Sequence, residues 1–252
     1  MHIGELEGFG SFSELSGGEI CDFDFEVKWC WGLEEFCPGG YCCILEVGVM
    51  TREELLERYA AGERDFVEVD LKRLDLSGVD LRDINLVNVD LSFTILIAAQ
   101  LQGANFRSVL LDGVELDRAN LSRANLSDAW GEGIGLYDAI LSHANLRNIN
   151  LADAHLSGAN LGGADLTDGF FDGTFFEDAN FMSANLTGAD LTRCSFSGTN
   201  LRNVNLTGAI LVEANLKGAD LSGAIGANLK GAYLENTILP DGKIITDFTE
   251  VS

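Results

Sequence analysis

From Phe66 to Leu221 a large apolar residue recurs at every fifth position without a slip. These centres run Phe66, Leu71, Leu76, Leu81 and onward in fives; of the 32, only Gly131 is neither Leu nor Phe. Two residues before each centre stands a second apolar or small residue: Val69, Val79, Ile84 and Val89 early, then mostly Ala from Ala99 onward. The position between them is usually Asn or Asp, and the two after the centre are polar or Gly. A period of five fits neither a helix face nor a simple strand. It predicts a short extended step with both apolar residues on one side, then a corner, then another step. Gly at the last position of a unit suits a corner with positive φ.

The phase breaks once. After Leu221 the next centre is Leu229, eight residues on, before Leu234 and Leu239 resume the step of five. Residues 223–227 are therefore expected to bulge. The apolar run Ile244-Ile245-Thr246-Asp247-Phe248 is expected to cover the last coil.

Ahead of the repeat, Thr51-Arg52-Glu53-Glu54 has a capping-box arrangement, with Thr51 as N-cap and Glu54 three residues later. It predicts a helix through Leu55, Leu56 and Tyr59, stopped by Gly62. That helix would lie over the first coil, whose bare backbone groups and open leucine rings otherwise invite aggregation. Residues 1–50 have no defensible period; Pro38-Gly39-Gly40 separates a possible short helix (26–36) from a possible strand (41–47). The expected organisation is thus an irregular Cys/Gly-rich extension (1–50), a capping helix (51–64), the repeat (65–240) and a C-terminal cover (241–252).

The repeat resembles the pentapeptide-repeat family, whose pattern A-(N/D)-L-X-X stands here as Ala124-Asn125-Leu126-Ser127-Asp128 and Ala189-Asp190-Leu191-Thr192-Arg193. The resemblance covers about residues 65 to 240. Leu55–Gly62 and Ile238–Gly242 further resemble segments of cyanobacterial members. It implies an all-β solenoid, a right-handed quadrilateral parallel β-helix with four units per coil, here eight to nine coils. At roughly 4.8 Å per stacked strand the eight regular coils make a column about 35–40 Å long.

Four units per coil sort the centres into four faces, named here from Phe66, Leu71, Leu76 and Leu81. The outward residue before the centre is Asn or Asp throughout the Phe66 face. On the Leu71 face the same position holds Leu110, Trp130, Phe170 and Ile210; the Leu76 face adds Ile95 and Phe175, and the Leu81 face only Ile140. Acids concentrate alike: one per coil on the Leu71 face (Asp70, Asp90, Asp112, Glu132, Asp153, Asp172, Asp190, Glu213) and six more on the Leu76 face. Single exposed apolar residues are common and acid keeps a flat-sided rod soluble. The sharper account is a partner-binding surface of apolar anchors in an acidic field, formed by Leu110, Trp130, Phe170, Ile210, Ile95, Phe175, Asp112, Glu132 and Asp172. Gly131 bears on the choice, because the void it leaves could be filled by Trp130, which would then belong to the core.

The net charge of −24 and the pI near 4.2 argue against direct binding to nucleic acid or an anionic membrane. No secretory signal or long apolar span is visible, so a cytoplasmic monomer is expected. Five of the six cysteines precede residue 44 and match no paired C-x-x-C pattern. Plain buried thiols, or a disulfide of Cys30 with Cys37 or Cys42, are the alternatives, and no metal site is expected. Cys194 takes an inward position where the repeat usually has Ala. His2, His143 and His155 are scattered, Gly residues mark corners rather than a phosphate loop, and neither catalysis nor a cofactor is expected.

Some members of the family resemble duplex DNA and bind topoisomerases, which makes a DNA-mimic modulator of a protein such as gyrase the alternative function. Fourteen acids over the two acidic faces give about one per 2.6 Å, against one charge per about 1.7 Å in B-DNA. Lys72, Arg73, Arg118, Arg193 and Lys217 dilute them further. A non-catalytic interaction protein with an unidentified protein partner is the preferred expectation.

Overall fold

The structure, a computed structural model, describes residues 50–251. The expectations that fall on the N-terminal extension, including the pairing of Cys30 with Cys37 or Cys42, lie outside the described residues. Helix α1 spans Arg52–Ala60, and the Thr51 hydroxyl accepts the Glu54 N–H at 3.1 Å, as the capping box predicts. Leu55 is fully buried, with Leu56 and Tyr59 packed beside it against the core. The helix is tied to the coils by polar bonds too: Arg52 donates to the Asp75 carbonyl (2.7 Å) and the Tyr59 hydroxyl to the Arg82 carbonyl (2.9 Å). The Arg58 guanidinium sits 5.1 Å from the centre of the Phe66 ring.

From Asp65 onward the residue before the centre forms a parallel bridge to the residue 20 positions later, starting at Asp65↔Asn85 and reaching Asn205↔Ile225, except that Asp70 does not bridge Asp90. A bridged residue makes two bonds to the preceding coil. The Asn145 carbonyl accepts the Leu126 N–H (2.7 Å), and the Asn145 N–H donates to the Ala124 carbonyl (2.9 Å). Two residues past each centre the chain enters the left-handed region at all 32 corners, and 20 of these residues are not glycine. The next N–H then commonly closes the turn on the centre's carbonyl, as Ala129 does on Leu126 (3.2 Å). A positive φ at the third residue of such a turn is the type II geometry.

Centres and the residues two before them fill the interior almost without exposure. Phe171, Phe176, Phe181 and Phe196 meet there in stacked and edge-on pairs 5.0 to 5.9 Å apart. Where an inward Ala is replaced by a hydroxyl or thiol, the group bonds the centre carbonyl of the coil before. Thr94 donates to Leu71 (2.8 Å), Thr174 to Leu151 (2.6 Å), Thr199 to Phe176 (2.7 Å) and Cys194 to Phe171 (2.9 Å). This satisfies a polar group that would otherwise be buried bare. Cys194 is the small buried residue its position predicted, and burial pushes its thiol pKa well above the ordinary value.

The phase slip falls later than its spacing suggests. Ile225 still bridges Asn205 in regular register, so residues 223–225 stay in the column and the departure covers residues 226–230. The chain returns with β1 (Tyr233–Leu234) and β2 (Thr237–Ile238), whose bridges Asn215↔Tyr233 and Asp220↔Ile238 span 18 residues instead of 20. The segment then doubles back. β3 (Ile244–Ile245) pairs antiparallel with β2, and β4 (Thr249–Glu250) antiparallel with β1.

Candidate functional site

The coils set every bridge residue on the outside of the column in a vertical file, one file per face. Two neighbouring files are polar ladders. On the Phe66 face Asn125 donates to Asn105 (3.2 Å), Asn145 to Asn125 (2.9 Å) and Asn185 to Asp165 (3.2 Å). On the Leu81 face Asn180 donates to Asn160 (3.1 Å) and Asn200 to Asn180 (2.9 Å). The same side chains also accept N–H groups two residues on, as Asn125 does from Ser127 (3.1 Å). Each such bond is worth about 0.5–1.5 kcal/mol net, so these two faces fasten coil to coil.

The other two faces are built differently. Along the Leu71 face the bridges run Asp90, Leu110, Trp130, Asn150, Phe170, Asp190, Ile210 in unbroken order. Leu110, Trp130, Phe170 and Ile210 are all exposed, Trp130 at 41 %. Trp130 is therefore outside the core. The void expected at Gly131 does not exist: a Cβ there would lie 2.7 Å from Leu111 Cβ and 3.0 Å from Ile134 Cγ2. Ile134 stands where the repeat usually has Ala, and its larger side chain takes the room that a leucine at 131 would need.

On the Leu76 face Phe175 is exposed, whereas Ile95 is only half-exposed. Phe175 also belongs to a group that the bridge positions alone do not reveal. The His155 ring is stacked between Tyr137 (5.3 Å) and Phe175 (5.0 Å), nearly parallel to both. Tyr137 follows its centre while His155 and Phe175 precede theirs, so a file-by-file count separates what the coils bring together. Likewise the exposed Phe93 sits at a corner, 5.8 Å beneath the Arg73 guanidinium.

The acids of these faces divide by pairing. The Arg193 guanidinium, hydrogen-bonded to Asp172, holds that carboxyl below its usual pKa. Lys72 pairs with Asp90 at 3.5 Å. Asp112, Glu132 and Asp153 have no ion-pair partner among the described residues. Trp130, Phe170, Phe175 and the Tyr137–His155 pair thus stand amid uncompensated negative charge over the middle coils.

Among the described residues no group of His, Cys, Asp and Glu is arranged to hold a metal ion. Among the described residues, too, no helix is long and apolar enough to cross a membrane. Two shallow hollows lie on the described surface, one of about 460 Å³ beside Ile210 and one of about 420 Å³ along the corner of Arg82, Gln102, Arg123 and His143.

A family model described as Pentapeptide repeats matches this chain in 8 copies, over residues 65–99, 99–130, 136–168, 159–198 and 194–241. The matches leave out residues 131–135, the turn with the glycine centre and the enlarged Ile134. No curated protein matches the chain. Among solved structures, HetL is a pentapeptide repeat protein involved in heterocyst differentiation regulation from the cyanobacterium Nostoc sp. strain PCC 7120. It is 31 % identical, covering 78 % of this chain and 100 % of its own, with a TM-score of 0.38. Rfr23 from the cyanobacterium Cyanothece 51142 is 24 % identical over 65 % of this chain and 90 % of its own, with a TM-score of 0.19. Trypsin-treated QnrB1, a plasmid-mediated fluoroquinolone resistance protein, is 19 % identical over 68 % of this chain and 91 % of its own, with a TM-score of 0.49.

Proposed function

Because the chain belongs to the pentapeptide-repeat family, we propose that it is a non-catalytic interaction protein. In this reading it is a right-handed quadrilateral β-helix closed at its start by the 51–64 helix. It docks a protein partner on the side made by the Leu71 and Leu76 faces. Leu110, Trp130, Phe170 and Ile210, with Ile95 and Phe175 on the adjoining face, are the apolar anchors. Asp112 and Glu132, with Asp172 held by Arg193, supply the surrounding charge.

One observation carries the reading. At positions where the Phe66 and Leu81 faces place a coil-to-coil asparagine ladder, the Leu71 face places exposed Leu110, Trp130, Phe170 and Ile210. The column loses side-chain bonds there and leaves about two-fifths of each of these apolar residues in water. Stability alone does not explain such a choice; large aromatic side chains are what interfaces use as anchors. The same side chains interrupt the acidic file and are poor substitutes for phosphates, which favours protein docking over duplex mimicry.

The test is affinity purification with the full chain beside a truncated chain starting at Thr51. The face reading expects both to retain the same partner. Loss of the partner from the shorter chain would move the site to residues 1–50. A gyrase supercoiling assay covers the alternative: inhibition at stoichiometric protein would favour the mimic.

A further inference from the structure

The aromatic stack of the Leu76 face has an open end. Its file runs Glu115, Gly135, His155, Phe175, Ser195, Asn215, each bridged to the next. Below His155 the bridge residue is the bare Gly135, and the Tyr137 ring of the same rung stands there instead, 5.3 Å away. Above Phe175 the next residue is Ser195, too short to span a phenyl ring, and Phe175 is 40 % exposed. Among the described residues the guanidiniums that sit over rings are those of Arg58, Arg64 and Arg73, at Phe66, Tyr59 and Phe93, and none covers Phe175.

Carboxylates rim this stack rung by rung. Asp117 accepts the Tyr137 N–H (3.0 Å) at the lowest rung. A Cβ on Gly158 would run into the Asp138 carboxylate, one on Gly173 into that of Asp153, and one on Gly198 into that of Asp178. Those glycines are corners of the His155, Phe175 and Ser195 rungs. Each acid therefore leans up from the coil before it and stands level with the stack or with its open end. None of the four has an ion-pair partner among the described residues. Of the cations on this side, Arg193 is engaged by Asp172 and Lys217 by Glu235, while Arg118 follows Glu115, below the stack.

We infer that the open end of the stack receives an arginine side chain of the partner protein, its guanidinium lying on the Phe175 ring above Ser195 and donating to Asp178. The inference rests on the face reading, in which Phe175 is an anchor, and names the group that this anchor takes. A ring face attracts a cation, and the unpaired carboxylates at the same level set the sign of the occupant. The planar guanidinium stacks on a ring and sheds water more readily than an ammonium, which selects arginine over lysine. The chain makes the same contact for itself where Arg73 stands 5.8 Å from the exposed Phe93 ring. A nucleobase would bring phosphates into this acidic rim and is disfavoured.

The probe is the synthetic peptide acetyl-Gly-Ser-Arg-Gly-Ser-amide, titrated into the isotope-labelled full chain and followed by NMR of the protein rings and of the peptide side chain. The expected result is shifts centred on Phe175, His155 and the Asp178 corner, with the arginine δ protons moved upfield by the ring. The lysine analogue, of equal charge, is expected to bind about threefold more weakly, and the planar but neutral citrulline analogue about fivefold or more. Phe175→Leu removes the ring. Asp178→Asn removes the charge and keeps a side chain that tolerates the φ of 56° at this corner. Each is expected to weaken binding about fivefold with unchanged melting, while Trp130→Ala/Phe170→Ala leaves the peptide's affinity intact. Equal affinity of the arginine and lysine peptides, shifts away from Phe175, or indifference to Phe175→Leu would overturn the inference. The face reading fails separately, by undiminished capture of the partner with Trp130→Ala/Phe170→Ala.

Discussion

Left-handed backbone at every corner is the one residue-scale demand that the fold makes without exception. Glycine meets it at 12 corners and other residues at 20, nine of them Asp or Asn, which tolerate this region best. The choice is coupled between coils. At eight corner glycines, including Gly103, Gly113 and Gly163, a Cβ would run into the side chain 20 residues earlier: Asp83, Phe93 and His143 respectively. Corner side chains lean over the next corner, which must then be bare. The glycines were legible in the sequence as turn markers, but this coupling was not, because it links residues that only stacking makes neighbours. Two substitutions test it. Ala98 has no polar side chain to ease its φ of 56°, so Ala98→Gly is expected to stabilise the chain by up to about 1 kcal/mol. Gly103→Ala is expected to destabilise it by about 1–2 kcal/mol, and by less when Asp83 is also made Gly. Chemical denaturation midpoints of the four chains decide both.

Single coils show how far the repeat can bend. The coil at Trp130 replaces the centre leucine by Gly131 and the small inward residue by Ile134, keeping the interior filled while exchanging which position fills it. A glycine in a file of leucines suggests a cavity, and the sequence could not exclude one, since the compensating isoleucine lies three residues away on the next face. The two accounts predict opposite signs. A cavity would make Gly131→Ala stabilising. The packed geometry, with a Cβ 2.7 Å from Leu111 Cβ, makes it destabilising by about 1–3 kcal/mol. Thermal melting of the variant checks this. The phase slip teaches a similar lesson. Its existence was plain from the eight-residue step between Leu221 and Leu229, but its place was not. Ile225 keeps its bridge to Asn205, and the chain leaves the column only after it, to bridge again at Tyr233 and Ile238.

At the scale of the whole molecule the column has two unlike sides. Asparagine ladders fasten the Phe66 and Leu81 faces, and an acidic, aromatic surface covers the Leu71 and Leu76 faces. The four files and the exposed Leu110, Trp130, Phe170 and Ile210 were legible because a strict period turns position into direction. The Tyr137–His155–Phe175 stack was not, because it depends on residues from different positions of the unit meeting across coils. The asymmetry of the two sides makes the account testable with matched substitutions. Trp130→Ala/Phe170→Ala removes exposed side chains that bear no coil-to-coil bond, whereas Asn125→Ala removes two ladder bonds.

The most direct measurement combines capture of the partner with melting for these two variants beside the unaltered chain. Asn125→Ala is predicted to lose about 1–3 kcal/mol of stability and keep the partner. Trp130→Ala/Phe170→Ala is predicted to melt as the unaltered chain does and to weaken capture at least about thirtyfold, the effect of losing roughly 2 kcal/mol of anchor energy. Undiminished capture by the double variant would contradict the account.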